Sequence, residues 1–142
     1  NPLDAAVSWS IYMKEPLLHT IQYYEDYYSV VLPHRDRIFF VRFEDVIADF
    51  GKVTSAFNAH WGTDYKCFVN SKENVALCMS KIDNDYRLKD GSIKESCVAR
   101  PSRERDAAKQ ELLAEAGSSP ACREALRRAT DIYNLLVASA RG

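Results

Sequence analysis

Leu3, Ala6, Val7 and Ile11 fall on one side of a 3.6-residue repeat, which predicts a short helix over residues 3–13 with Ser8 near its buried side. Pro16 interrupts it. The positions Leu17, Ile21, Tyr24, Tyr28 and Val31 then step by four, three, four and three, the spacing of one buried helical stripe that ends at Pro33. RIFFVRF, from Arg37 to Phe43, is a run of bulky β-formers too short for a helix and predicts a strand. Its apolar middle suggests burial on both faces, as in a parallel sheet between helices. Val46, Phe50, Val53, Phe57 and either His60 or Trp61 form the stripe of a following helix that ends near Gly62. Residues 63–99 show no firm period, and KDGSIKES within them reads as a loop. Ser102 is a good N-cap for a helix through about Ala116, closed by Gly117. Ser119-Pro120 opens a last helix with Leu126, Ala129, Tyr133, Leu136 and Ala140 on one face.

A strand running directly into a helix predicts an α/β protein, mostly helical with few parallel strands. One strand cannot make a parallel sheet, so either residues 63–99 hide further strands or the rest of the sheet lies outside the chain. No internal repeat, low-complexity tract or second domain divides residues 1–142, which read as a single partial domain.

Composition changes this picture little. The 142 residues carry 19 basic and 20 acidic side chains, net charge −1, so no global field recommends nucleic acid or an anionic membrane as partner. Any anion site must be local. The apolar runs are far shorter than the ~20 residues a membrane span needs. His19, His34 and His60 and the four cysteines are too scattered for a metal site. A Cys67–Cys78 disulfide would suit a luminal protein, but reduced thiols are the preferred reading. The compartment stays open, with the cytoplasm favoured over the Golgi lumen.

Two tripeptides are decoys. HRD at 34–36 and DFG at 49–51 mark protein kinases, yet a kinase needs an Asn five residues after the first Asp to hold magnesium, and that position is Val41. Phe50 of the second is expected in the core. The opening NPLDAAVS carries more chemistry, because Ser8 in a short helix just past a strand end can present a hydroxyl to an anionic oxygen beside free backbone N–H groups.

Taken whole, NPLDAAVS resembles the RNPxDxxVS segment of sulfotransferases that use 3′-phosphoadenosine 5′-phosphosulfate (PAPS), in which the Arg and the Ser bind the 3′-phosphate. Asn1, Pro2, Asp4, Val7 and Ser8 match, and the motif's Arg would precede Asn1. IFFVRFEDVIADF is similar to the family's second landmark, a strand entering a basic-aromatic-Glu-Asp helix start, through Arg42, Phe43, Glu44, Asp45 and Asp49. IQYYEDYY falls where the family has an aromatic helix. ARPSRERDAAK is similar to the basic loop and helix start that close over the 3′-phosphate, in the style of bacterial and carbohydrate members, since the glycines of the cytosolic enzymes' RKGxxG loop are absent.

The resemblance covers about residues 1–62 and 100–140. It implies the C-terminal half of a P-loop-like sulfotransferase fold, supplying the 3′-phosphate side of the PAPS site through Ser8, Arg100, Ser102 and Arg103. It places the 5′-phosphosulfate loop, its Lys and the general base before residue 1, so no catalytic residue is assigned and no metal is expected. The implied acceptor is a small-molecule or carbohydrate hydroxyl. The three histidines read as ordinary surface or core residues, and Tyr23, Tyr24, Tyr27 and Tyr28 as helix packing with hydroxyls at the rim. A half domain would also expose apolar surface and self-associate. The competing expectation is a non-catalytic helical α/β interaction or scaffold module, in which RPSRER merely caps a helix.

Overall fold

The computed structural model describes residues 1–93, 98 and 103–139. Among the described residues seven α-helices succeed one another: α1 (Pro2–Met13), α2 (Leu17–Val31), α3 (Phe43–Ala48), α4 (Phe50–Trp61), α5 (Lys72–Asp85), α6 (Arg103–Ser118) and α7 (Pro120–Ser139), with a 3-10 helix over Leu32–Arg37 between α2 and α3.

The start of α1 follows from its first four residues. Asn1 accepts a hydrogen bond from the Asp4 amide (2.9 Å) and donates one from its own side-chain amide to the Asp4 carboxylate (2.7 Å), while Pro2 supplies a pre-set φ at a position that needs no N–H. The helix ends at Lys14, which adopts the left-handed conformation with φ 58°. Ser10, buried, donates to the Glu15 carbonyl (2.6 Å) and fixes the reversal into α2.

The core is built by α1, α2, α6 and α7. Ala6 and Val7 of α1, Leu17 and Ile21 of α2, Ala116 of α6, and Cys122, Ala125 and Ala129 of α7 form one buried cluster, with Leu3, Ile11, Leu18, Tyr24, Leu112, Leu113 and Leu126 packed around it. The contact face of α7 is made of small residues three and four apart, which lets its backbone approach α2 closely. Thr20, buried where α2 meets α1, directs its hydroxyl at the carbonyls of Ala6 (3.0 Å) and Leu17 (2.9 Å), so a buried polar group is satisfied rather than stranded. At the edge, Arg128 grips Glu25 with two bonds of 2.7 and 3.1 Å, joining α7 to α2.

The expected α/β fold is not what forms. Among the described residues there is no strand or sheet, only an isolated antiparallel bridge between Arg87 and Ile93. Within the predicted strand Arg37–Phe43, Arg37 closes the 3-10 helix and Phe43 opens α3. Between them the chain is extended, with Ile38 at φ −126°, ψ 133° and Arg42 at φ −76°, ψ 145°. A β-strand is completed by a neighbour's N–H and C=O groups, and among the described residues no strand lies beside this segment. Bulky β-formers therefore dictate the backbone conformation without making a sheet. Phe39 is held instead by edge-to-face packing on Phe57 of α4 (5.5 Å).

Other departures are smaller. The helix expected to run from Val46 to Gly62 is broken at Asp49, which leaves the helical region and caps α4 by accepting from the Lys52 amide (3.1 Å). Gly62 ends α4 at φ 64°, as its position suggested. Phe50, expected in the core, is 48% exposed. Its neighbour Gly51 is the buried member, pressed against the Phe68 backbone carbonyl with no room for a side chain. α2 ends at Val31, before Pro33 as expected, though a 3-10 helix over Leu32–Arg37 follows it directly, and residues 72–85 form a full helix where no period was legible. Gly117 lies inside α6, one residue before its end. Cys67 and Cys78 are both free thiols, in keeping with the preferred reading. Among the described residues, no helix is long and apolar enough to cross a membrane.

Candidate anion-binding site

α1 and α6 lie side by side in opposite directions, so residues one turn apart on each meet in order. Ser8 faces Arg105, whose guanidinium donates to the Ser8 Oγ (3.1 Å), and Asp4 faces Lys109 across 3.2 Å. The same guanidinium donates through its other terminal nitrogen to the carbonyl of Val98 (3.0 Å), a fully buried residue. Arg105 thus ties together parts of the chain that are 97 residues apart.

These groups line a cavity of about 620 Å³, a size suited to a small ligand. Its walls are the exposed side of α1 (Asn1, Asp4, Ser8 and Ile11), the first turns of α6 (Arg105, Asp106 and Lys109), and Phe43 and Glu44 at the start of α3. Ser8 is exposed into this space rather than buried; the buried serine of α1 is Ser10.

The charges are arranged in pairs. Burial acts to raise the Asp4 carboxyl, but hydrogen bonds from Asn1 and Lys109 and the lysine's charge outweigh it and hold Asp4 below its ordinary range. Lys109 is therefore largely engaged. At the other contact the Arg105 guanidinium, which has further partners besides, donates to the Ser8 hydroxyl. Because Arg105 is the donor, Ser8 keeps its own hydroxyl hydrogen for a second partner. A phosphate or sulfate oxygen in the cavity could accept from Ser8 and from the guanidinium together, a charge-assisted arrangement. Glu44 and Asp106 at the walls would repel a second anionic group and so limit where the first can sit.

Of the residues expected to hold phosphate, Ser8 is in the cavity. Arg103 is the first residue of α6, exposed, and not part of the cavity wall. Arg100 and Ser102 lie outside the described residues. Arg105 and Lys109, which the sequence reading passed over, take the positions facing α1. Residues two apart on a helix point about 200° apart, so only one of Arg103 and Arg105 can face α1, whereas Arg105 and Lys109, four apart, share a side. Their spacing was visible, but the direction of α6 against α1 was not.

The histidines gather at no common point. His19 sits 3.8 Å from Glu15 on the surface of α2, and His60 packs edge-on against Trp61 (4.5 Å). Among the described residues, no three His, Cys, Asp or Glu side chains converge as a metal site. Comparison of the chain with protein-family models, with curated proteins and with solved structures finds no match.

Proposed function

We propose that this chain binds the 3′-phosphate of PAPS as part of a sulfotransferase, with Ser8 and Arg105 as the phosphate clamp. The observation that carries the reading is the 3.1 Å contact between these two side chains on the wall of a nucleotide-sized cavity. The motif that singled out Ser8 and the basic helix start that supplies Arg105 are the two segments resembling the family's 3′-phosphate ligands, and they meet. Phe43, 68% exposed, offers the same cavity an aromatic ring on which a purine can stack.

The donor group fits these residues: a hydroxyl and a guanidinium for the phosphate, a ring for the base, and space for both. PAPS would supply an activated sulfuryl group for transfer to an acceptor hydroxyl, small-molecule or carbohydrate. Within this chain, Ser8 donates to a phosphate oxygen, Arg105 neutralises and orients the phosphate, and Lys109 holds Asp4 so that its carboxylate does not turn toward the ligand. Arg100, Ser102 and Arg103 remain proposed auxiliary ligands of the phosphate.

Calorimetric titration of the chain with adenosine 3′,5′-bisphosphate tests this. Saturable binding is expected, weaker by about 10-fold or more in Arg105→Ala, since hydrogen bonds to charged groups are worth ~1.5–3 kcal/mol. Adenosine 5′-monophosphate, which lacks the 3′-phosphate, should bind no better than the Arg105→Ala variant binds the bisphosphate. Equal affinity for the two nucleotides, or no binding at all, would reject the assignment and leave the interaction-module reading in its place.

A further inference from the structure

α5 is a 14-residue helix with a defined start. Ser71 caps it by accepting from the Asn74 amide (3.2 Å), and the Asn74 side chain in turn donates to the Val69 carbonyl (2.8 Å). At 1.5 Å per residue it is about 21 Å long. Val75, Cys78, Met79 and Ile82 occupy positions i, i+3, i+4 and i+7, an unbroken apolar stripe. In α1, α2 and α7 such a stripe faces the core. Here Met79 is 42% and Val75 36% exposed, Cys78 is exposed as well, and among the described residues α5 packs against no other helix.

The stripe and the charges around it indicate what covers this face. Lys72 stands at the N-terminal end of α5 and Asp85 at the C-terminal end, each at the wrong pole of its own helix dipole. A second helix laid antiparallel would bring each charge to the favourable pole of its neighbour, and opposite to the other's sign. The stripe has the same reversal symmetry about its midpoint. Val75 comes opposite Ile82, Cys78 opposite Met79 and Lys72 opposite Asp85, so a copy of α5 is complementary to α5 itself. Self-complementarity of this kind is what a two-fold interface requires.

We propose that α5 is a self-association face: two copies of the chain pair their α5 helices antiparallel about a two-fold axis passing between Cys78 and Met79. The surface is independent of the cavity at Ser8 and Arg105 and goes beyond the nucleotide reading. One helix pair of this length is a small interface, so the dimer is weak, with a dissociation constant on the order of 10–100 µM. Lys72 and Asp85 set the antiparallel direction, because a parallel pair would place like charges together.

Sedimentation velocity of the whole chain over a concentration series, with a Cys67→Ser, Cys97→Ser background in which Cys78 is the exposed thiol among the described residues, tests the proposal. The expected result is a concentration-dependent shift from one copy to two, abolished by Met79→Glu, and formation of a covalent dimer with a short bis-maleimide. Lys72→Asp alone should weaken association by about 3-fold or more, and the swap Lys72→Asp with Asp85→Lys should restore it, which separates a lost contact from a lost fold. Circular dichroism of each variant should match the parent. A monomer throughout, a dimer indifferent to Met79→Glu, absence of the Cys78 cross-link, or failure of the swap to rescue would each overturn the proposal, and a heterologous partner would then be the occupant to seek.

Discussion

Tyr24 shows how much one side chain of this bundle reports. It is half-buried between Tyr28, whose ring lies 4.4 Å away, and Tyr133 of α7. Burial, reinforced by the neighbouring phenols, pushes its pKa well above the ordinary 10.0. The native state therefore holds the Tyr24 proton more tightly than the unfolded chain does. By linkage, this contribution to stability is complete below pH 10 and declines as pH rises above it, because the unfolded phenol ionises first. Chemical denaturation should thus show stability falling above about pH 10, and Tyr24→Phe should flatten that fall while leaving the neutral-pH value within about 1 kcal/mol. Identical alkaline profiles for the two proteins would contradict the placement of Tyr24. The tyrosine cluster was legible in the sequence as packing, since Tyr24 and Tyr28 continue the stripe of Leu17 and Ile21 on α2. Ser8 was legible as well, from the motif around it. Arg105 was not, because choosing it over Arg103 requires knowing which side of α6 meets α1, a fact of tertiary packing.

Among the elements, α1 and α7 were the easiest to read, for a common reason. Both carry an apolar period that faces the core, and at α7 the pair Ser119-Pro120 also marks the start, so local geometry suffices to set them. The segment Arg37–Phe43 failed because its residues determine only an extended backbone, while a sheet depends on a neighbour that no local signal can reveal. The helix α5 was missed for a related reason: its stripe is short, the apolar Ala76 and Leu77 beside it blur the period, and it faces no core. At the break between α3 and α4 the sequence hides a packing constraint instead. A Cβ at Gly51 would collide with the Phe68 carbonyl, backbone against backbone, so it cannot be relieved by a rotamer change. Gly51→Ala should destabilise the chain by about 1–3 kcal/mol by thermal or urea unfolding, despite the higher helix propensity of Ala. An unchanged or raised midpoint would mean that the 62–71 segment does not sit against α4 as described.

At the scale of the whole molecule, stability resides in four helices and exposure in the remaining three. All the residues of the buried cluster belong to α1, α2, α6 and α7, and the small residues of α7 set how closely these helices approach. Enlarging one of them should be felt globally. Ala129→Leu, at a position with no exposure, should cost about 1–3 kcal/mol and lower the thermal midpoint, whereas the same change at the exposed Ala114 should cost little. Equal effects at the two positions would argue against the α2–α7 interface. That interface also bears on function, because it fixes the antiparallel arrangement of α1 and α6 from which the Ser8 and Arg105 contact arises. The charge balance of the chain gave no hint of such a site: at net −1 the cation is local, created by packing rather than by composition.

The most direct test of the central claim is a double-mutant cycle for binding of adenosine 3′,5′-bisphosphate with Ser8→Ala, Arg105→Ala and the double variant, measured by calorimetry. Two side chains gripping one phosphate should be coupled, so the double variant should lose at least ~0.5 kcal/mol less than the sum of the single losses. Strict additivity, or unaltered affinity in either single variant, would contradict a shared phosphate clamp.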